Sequence, residues 1–151
     1  MLRFMKIYQK PHLLLQFTGM TLEQFTAFSE KLKLLWDKAE EERLTRRNRK
    51  HALGQGRRYK LDTMEDKVLF ILVFRRFHPT DEVLGDIFGL HPSNACRMRT
   101  KIEPLLEKIA DPFLFQTSKS GTSSGKKKIS TREGILKVCP ELAEFVVNPA
   151  E

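Results

Sequence analysis

A two-helix pattern between residues 81 and 102 constrains the fold of this chain more than any other feature of its sequence. A first helix can begin after Thr80, and a second can begin at Pro92, whose missing N–H needs no partner in a first helical turn. Gly89, between them, is free to take the positive φ that a tight turn between crossing helices often needs. The apolar positions of both helices fall on faces that a shared core would bury: Val83, Leu84, Ile87, Phe88, Leu90, Ala95 and Met98. The pattern therefore predicts a helix-turn-helix, with Gly85 small where the second helix crosses closely.

The opposite face of the second helix is polar and contains Ser93, Asn94, Arg97 and Lys101. In a helix-turn-helix, the N-terminal part of this helix enters the major groove of DNA. Arg97 can form two hydrogen bonds with guanine, and Asn94 can form two with adenine. We therefore predict Ser93, Asn94 and Arg97 as base-reading residues, although the Ser93 hydroxyl would also suit a phosphate. Lys101 is predicted to bind a phosphate. The alternative is a plain helical hairpin whose outward face is only solvated.

One basic block accounts for the whole net charge of +8. Residues 43–60 contain eight basic residues and no acid, whereas the rest of the chain has equal numbers of basic and acidic residues. Such a block repels itself unless a polyanion lies beside it. A solvated basic linker is the alternative, but the neighbouring helix-turn-helix favours contacts with DNA phosphates. The candidate phosphate-binding residues of this block are Arg46, Arg47, Arg49, Lys50, Arg57, Arg58 and Lys60.

The remaining patterns predict an all-α fold: a helical bundle with a central helix-turn-helix and a flexible C-terminal tail that contains a short helix and one orphan strand. Thr21 and Gln24 have the spacing of a capping box, and an apolar stripe at helical spacing follows over residues 22–39. Thr63 can cap a further helix that is apolar on almost every side and that Pro79 ends. We expect that helix to be the most buried one.

Composition divides the chain into four parts. These are an N-terminal helical region (1–53), a helix-turn-helix DNA-binding domain (54–110), a flexible linker rich in Ser, Gly and Lys (111–128) and a C-terminal part (129–151). The C-terminal part is predicted to hold a short helix over residues 131–138 and a single strand over residues 145–147. We expect residues 112–151 not to be ordered by themselves.

No complete catalytic site is recognisable in the sequence. The histidines and cysteines have no paired ligand spacing, so we predict neither a zinc site nor any other cofactor: His12, His51, His78, His91, Cys96 and Cys139. The sequence also lacks a P-loop and a nucleophile elbow. Because no apolar run approaches the roughly 18 residues of a membrane span, we expect no membrane contact and a cytoplasmic, nucleoid-associated location.

Three segments together resemble the N-terminal helix-turn-helix region of DDE-superfamily insertion-sequence transposases. They are residues 17–25, residues 56–72 and residues 78–97, and the wider resemblance covers about residues 10–148. The resemblance implies that this region binds the terminal inverted repeats of a transposable element. It also implies that a separate RNase-H-like domain cuts and joins DNA through two aspartates, a glutamate and divalent metal.

The chain departs from that pattern at the catalytic positions. In relatives, a Pro-Glu-Leu segment leads into a strand that ends at the first catalytic aspartate, whereas here Pro140, Glu141 and Leu142 are followed by Asn148 at the corresponding position. A neutral amide is a poor substitute for a carboxylate on Mg²⁺. The sequence also lacks the second aspartate and the glutamate. We therefore expect no enzyme activity, and we interpret residues 129–151 as the truncated start of a catalytic domain, in the first frame of a split transposase or in a remnant.

The leading hypothesis is sequence-specific binding of double-stranded DNA at terminal inverted repeats, as the recognition part of a transposase. One alternative is a transcriptional repressor that acts on the element's own promoter. Another is a dominant inhibitor of transposition, in which the helix of residues 22–39 associates with a second copy or with a full-length transposase. A nuclease is the weakest reading, because the metal-binding carboxylates are missing.

Overall fold

The computed structural model describes residues 1–45, 57–109 and 128–146, and the regular elements among them are all helical. In chain order they are α1 (Phe4–Tyr8), α2 (Pro11–Thr18), α3 (Leu22–Leu44), α4 (Met64–Phe77), α5 (Asp81–Phe88), α6 (Pro92–Lys108), α7 (Arg132–Val138) and a short 3-10 helix, η1 (Pro140–Glu144). The predicted all-α fold is confirmed. The glycines at 54 and 56 and almost all of the predicted linker lie outside the described residues.

Helix α4 forms the centre of the bundle, as its apolar sequence predicts. Every side chain from residue 68 to residue 73 is buried, and the helix packs against α1, α2, α3, α5 and α6. Its first turn is capped by Thr63, whose hydroxyl accepts a hydrogen bond from the Asp66 N–H at 3.2 Å. The Asp66 carboxylate is itself buried and accepts a hydrogen bond from the Phe4 N–H at 2.7 Å. This bond attaches the N-terminus of the chain to the central helix.

Helix α3 begins with the predicted capping box, in which Thr21 and Gln24 each bind the other's backbone N–H. The apolar stripe of α3 packs against α4 and α6 rather than facing solvent. Phe25, Phe28, Leu32 and Trp36 are 0 to 7% exposed. The stripe is therefore part of the core of this chain.

The turn between α5 and α6 has the geometry that the sequence predicts, with one correction. Gly89 ends α5 with a φ of 67°, and the Leu90 N–H donates to the Gly85 carbonyl at 2.8 Å. No residue larger than glycine fits at position 85, because a Cβ atom there would overlap the carbonyl oxygen of Leu90. The closest approach is thus that of the turn backbone, and the nitrogen of Pro92, the first residue of α6, would lie 3.6 Å from the same Cβ. Thr80 occupies the N-cap position, but its buried hydroxyl forms no hydrogen bond with any described residue.

Residues 128–146 pack against the bundle. The backbone of Ile129 pairs with the segment between α4 and α5, accepting from the Thr80 N–H at 2.9 Å and donating to the His78 carbonyl at 3.2 Å. Arg132 at the start of α7 binds Asp86 of α5 at 2.6 Å. Residues 128–146 are thus held by contacts with the bundle, and the expectation that the C-terminal part is not ordered by itself stays a prediction.

The predicted short helix is confirmed as α7, but the predicted orphan strand is wrong. Phe145 and Val146 follow η1 directly, and their N–H groups donate to the Leu142 carbonyl at 3.0 and 3.1 Å. A lone strand would leave these donors without a partner, whereas a helical turn satisfies them locally. The Phe145 ring packs edge-on against Phe17 of α2, with centroids 6.0 Å apart. Residue 147 lies outside the described residues.

Candidate nucleic-acid interface

The first turn of α6 presents its polar side chains to solvent. His91 is the N-cap, and its Nδ1 atom accepts a hydrogen bond from the Ser93 N–H at 3.3 Å. Ser93, Asn94 and Arg97 are all exposed, whereas Ala95 is buried on the opposite side. The predicted division of this helix into a buried face and a polar face is confirmed.

A groove of about 430 Å³ runs between α6 and the segment that precedes α4. Its lining comprises Arg57, Arg58, Tyr59, Lys60, Leu61, Leu90, Asn94, Arg97, Met98 and Lys101. Five of these residues are basic, and none of the described residues in the lining is acidic. The structure thus brings Asn94 and Arg97 together with Arg57, Arg58 and Lys60 on one surface. Ser93 lies outside the lining, and Arg46, Arg47, Arg49 and Lys50 lie outside the described residues.

The exposed cations of the groove form no ion pair with any residue that the structure describes. Arg57, Arg58 and Arg97 are exposed and form no ion pair within the described part of the chain. Lys60 is also exposed, and its Nζ atom donates to the Gly89 carbonyl at 3.3 Å. Charges of one sign that line a concave surface attract a polyanion more strongly than scattered ones do. The groove is therefore suited to the phosphate backbone of a nucleic acid.

Lys101 differs from the other basic residues of the groove because its charge is already paired. Its Nζ atom lies 3.5 Å from a carboxylate oxygen of Glu40 on α3 and 4.6 Å from the ring centroid of Tyr59. It also donates a hydrogen bond to the Tyr59 hydroxyl. Glu40 binds Arg43 at 2.8 Å as well. Burial raises the pKa of Glu40, but the hydrogen bond from Arg43 and the charge of Lys101 outweigh it, so the pKa lies below its usual value.

An aromatic pair supports this side of the groove. Trp36 of α3 packs edge-on against Tyr59, with centroids 5.9 Å apart. The ammonium group of Lys67 lies 5.3 Å from the Trp36 ring and donates to the Asp62 carbonyl at 2.9 Å. Burial lowers the pKa of Lys67, and nearby carboxylates, that of Asp62 foremost, oppose the shift. Sequence reasoning missed Tyr59, although an aromatic residue inside a basic run was a usable signal.

Arg99 belongs to α6 but not to the candidate interface. It pairs with Asp81 at 3.2 Å and with Glu103 at 3.5 Å, and its guanidinium lies 5.0 Å from the Phe74 ring centroid. These contacts join α6 to α5 and α4. Arg99 therefore holds the two helices of the motif together.

The described residues contain neither a cluster of metal-binding side chains nor a membrane-spanning helix. No three or more His, Cys, Asp or Glu side chains there are grouped so as to hold a metal ion. Over the same ranges, every helix is too short or too polar to cross a membrane.

The central part of the chain matches a known protein family. Residues 59–112 match a family model described as the helix-turn-helix of DDE superfamily endonucleases. The match covers α4, α5 and α6 together with Tyr59 and Lys60, and it leaves out Arg57 and Arg58. It confirms the resemblance of this region to the helix-turn-helix region of DDE transposases, and it covers the DNA-binding part alone. No curated protein and no solved structure matches the chain.

Proposed function

We propose that this protein recognises the terminal inverted repeats of a transposable element as the DNA-binding part of a transposase. The premise is the match of residues 59–112 to the helix-turn-helix of DDE superfamily endonucleases. One observation carries the proposal. The basic groove joins two exposed side chains suited to base recognition with a row of exposed cations. A helical hairpin with a merely solvated face gives no reason for this convergence.

Asn94 and Arg97 are proposed to read the bases. They are three residues apart on α6 and therefore lie on the same face of the helix, near its N-terminus. That end of the second helix is the part that approaches base edges in a helix-turn-helix. Both side chains have the paired hydrogen-bonding groups that recognise one base at two points. Ser93 precedes them on the exposed first turn and is proposed to contact either a base edge or the adjacent phosphate.

Arg57, Arg58 and Lys60 are proposed to bind phosphates on the other wall of the groove. Such contacts supply affinity and fix the position of the protein, but they carry no sequence information of their own. We extend the same role to the neighbouring basic residues of the block: Arg46, Arg47, Arg49 and Lys50. DNA binding of this kind would place the protein with the nucleoid.

The dominant-inhibitor alternative required the apolar stripe of α3 as an association surface. That stripe is buried within the chain, where Phe28 and Leu32 are 2% and 0% exposed. The repressor alternative uses the same DNA chemistry and differs only in the position of the site. The α3 stripe is thus part of the core, whereas the basic groove lies at the surface, where DNA can reach it.

A competition gel shift tests the proposal. The labelled probes are duplexes taken from the two DNA ends that flank the gene, and the competitors are shuffled duplexes of equal length and composition, at near-physiological salt. We expect a shifted band that survives excess shuffled duplex, because base contacts add to the phosphate contacts only on the correct sequence. Loss of the band to shuffled duplex would reduce the protein to a general polyanion binder. A specific band on promoter DNA but on neither end would favour the repressor.

A further inference from the structure

The basic segment that lines one wall of the groove has few means of keeping its position. Residues 57–60 belong to no helix or strand. Leu61, which follows, is fully buried and anchors one end of the segment in the core. Within the segment, the half-buried Tyr59 is fixed by Lys101 of α6 and by the ring of Trp36. The placement of Arg58 therefore depends on how firmly the Tyr59 side chain is held, and Lys60 has one further contact, with the Gly89 carbonyl.

Lys101 is in turn held by Glu40. The Glu40 side chain is only 20% exposed, and its ion pair with Lys101 joins α3 to α6 across 61 positions of the chain. An ion pair that is partly shielded from water and shares a hydrogen bond to a third group is more restrictive than a fully exposed one. The contacts of Glu40, Lys101 and Tyr59 thus form a continuous connection from α3, across α6, to the basic segment.

We infer that Glu40 and Lys101 are positioning residues, whose ion pair fixes Tyr59 and thereby sets the basic segment of residues 57–60 in register with Asn94 and Arg97. In this arrangement Lys101 does not bind a phosphate itself, contrary to the role that its sequence position predicts. The inference rests on the proposed function and deepens it, because it names what couples phosphate binding to base recognition. If Lys101 bound a phosphate instead, it would lose its ion pair with Glu40 and its partly buried position.

The test compares two duplexes over a range of salt concentrations. One duplex is the flanking-end DNA and the other is its shuffled counterpart; the measured quantities are the affinity ratio between them and the slope of log affinity against log salt. The variants are Lys101→Met, which keeps the apolar stem but removes the charge, Glu40→Gln, and the double variant. Lys60→Met serves as the reference for a true phosphate contact. Lys33→Met, on the exposed side of the same helix as Glu40, is the matched control.

Positioning predicts that Lys101→Met and Glu40→Gln each lower the affinity ratio by about threefold to tenfold, in the lower part of the range for coupled neighbouring groups. The double variant should be no worse than the worse single variant. Lys101→Met should change the salt slope by less than Lys60→Met, which should lower it by about one. Lys101→Arg, which can still pair with Glu40, should restore most of the ratio.

Three results of this comparison would overturn the inference. The first is that Lys101→Met behaves like Lys60→Met, with affinity lost equally on both duplexes and the salt slope reduced. The second is that Glu40→Gln raises affinity for both duplexes equally, because that would mean that the acid only holds back a phosphate-binding lysine. An unchanged ratio in both variants would contradict it as well.

A measurement without DNA separates this inference from the proposed function. Trp36 is the single tryptophan of the chain and lies against Tyr59, so its emission reports the position of that ring. Positioning predicts that Glu40→Gln changes the Trp36 emission of the free protein, whereas Lys33→Met does not. An emission unchanged by Glu40→Gln would contradict the coupling. A wild-type protein with no preference between the duplexes would instead refute the proposed function.

Discussion

Gly85 of α5 lies directly against the carbonyl group of Leu90 in the turn before α6. A Cβ atom at residue 85 would overlap the Leu90 oxygen and lie 3.4 Å from the carbonyl carbon. The Gly85 carbonyl also accepts a hydrogen bond from the Leu90 N–H at 2.8 Å. The two residues therefore determine how closely the turn packs against α5. They thereby also determine where α6 begins, and so the position of Asn94.

We expect Gly85→Ala to lower the free energy of unfolding by about 1–3 kcal/mol, the range for inserting an atom into a packed site. The obstruction is backbone, which cannot move aside as a flexible side chain can. Urea unfolding followed by circular dichroism measures the change. Gly134→Ala in α7 is the control, because its Cβ would meet only side-chain atoms, at 3.0 and 3.1 Å. Equal losses for the two variants would contradict the close approach at Leu90.

The α3 stripe gives a second prediction, on stability. Phe25 is fully buried and stacks on Phe4, with ring centroids 5.0 Å apart. Phe25→Ala should lower the free energy of unfolding by about 3–5 kcal/mol, and the milder Phe25→Leu by less than about 1.5 kcal/mol. Sedimentation should give the same mass for wild type and Phe25→Leu. A variant that dissociates a larger assembly while its unfolding free energy stays unchanged would instead show that the stripe is an association surface.

The two cysteines should differ in reactivity. Cys139 is 2% exposed, and burial together with a hydrogen bond to Glu141 raises its pKa to about 11. The reactive thiolate is therefore scarce at pH 8, whereas Cys96 is only half-buried. We expect iodoacetamide to modify Cys96 first in the native protein and both cysteines at similar rates in urea, as mass spectrometry can show. Equal native rates would contradict the packing of residues 128–146.

The same thiol makes stability depend on alkaline pH. The folded state holds the proton of Cys139 more tightly than the unfolded state does, because the folded pKa is about 11 against an ordinary value of 9.0. The stabilisation is fully present below pH 9 and is lost as the pH rises towards 11. Unfolding free energies measured over this interval should fall more steeply for wild type than for Cys139→Ala. Parallel curves would contradict the shift.

Local signals in the sequence predicted much of the fold. The capping box of Thr21 and Gln24, the cap at Thr63 and the positive φ of Gly89 each depend on neighbours within a few residues, and all three are present. The strand predicted at residues 145–147 failed because its apolar pattern is equally compatible with a turn packed on the core. The contact of Phe145 with Phe17, far away in the chain, decides between the two.

The candidate interface was predictable where it depends on helical periodicity and not where it depends on distant contacts. The spacing of Asn94 and Arg97 placed both on the exposed face of α6, and the basic composition of residues 57–60 marked the other wall. Nothing in the sequence paired Lys101 with Glu40, because the helical pattern that exposes a lysine does not show which acid the folded chain brings beside it. The role of Lys101 was therefore predicted only from its position on α6, without its partner on α3.

The most direct test of the proposed function compares Arg97→Ala and Arg57→Ala in their affinities for the flanking-end duplex and its shuffled counterpart, at several salt concentrations. Arg97→Ala should weaken binding to the flanking-end duplex by about 1–3 kcal/mol and relax sequence preference. Arg57→Ala should weaken binding to both duplexes alike and lower the salt slope by about one. If both variants instead lose affinity equally on the two duplexes, α6 does not read the sequence and the proposed recognition is wrong.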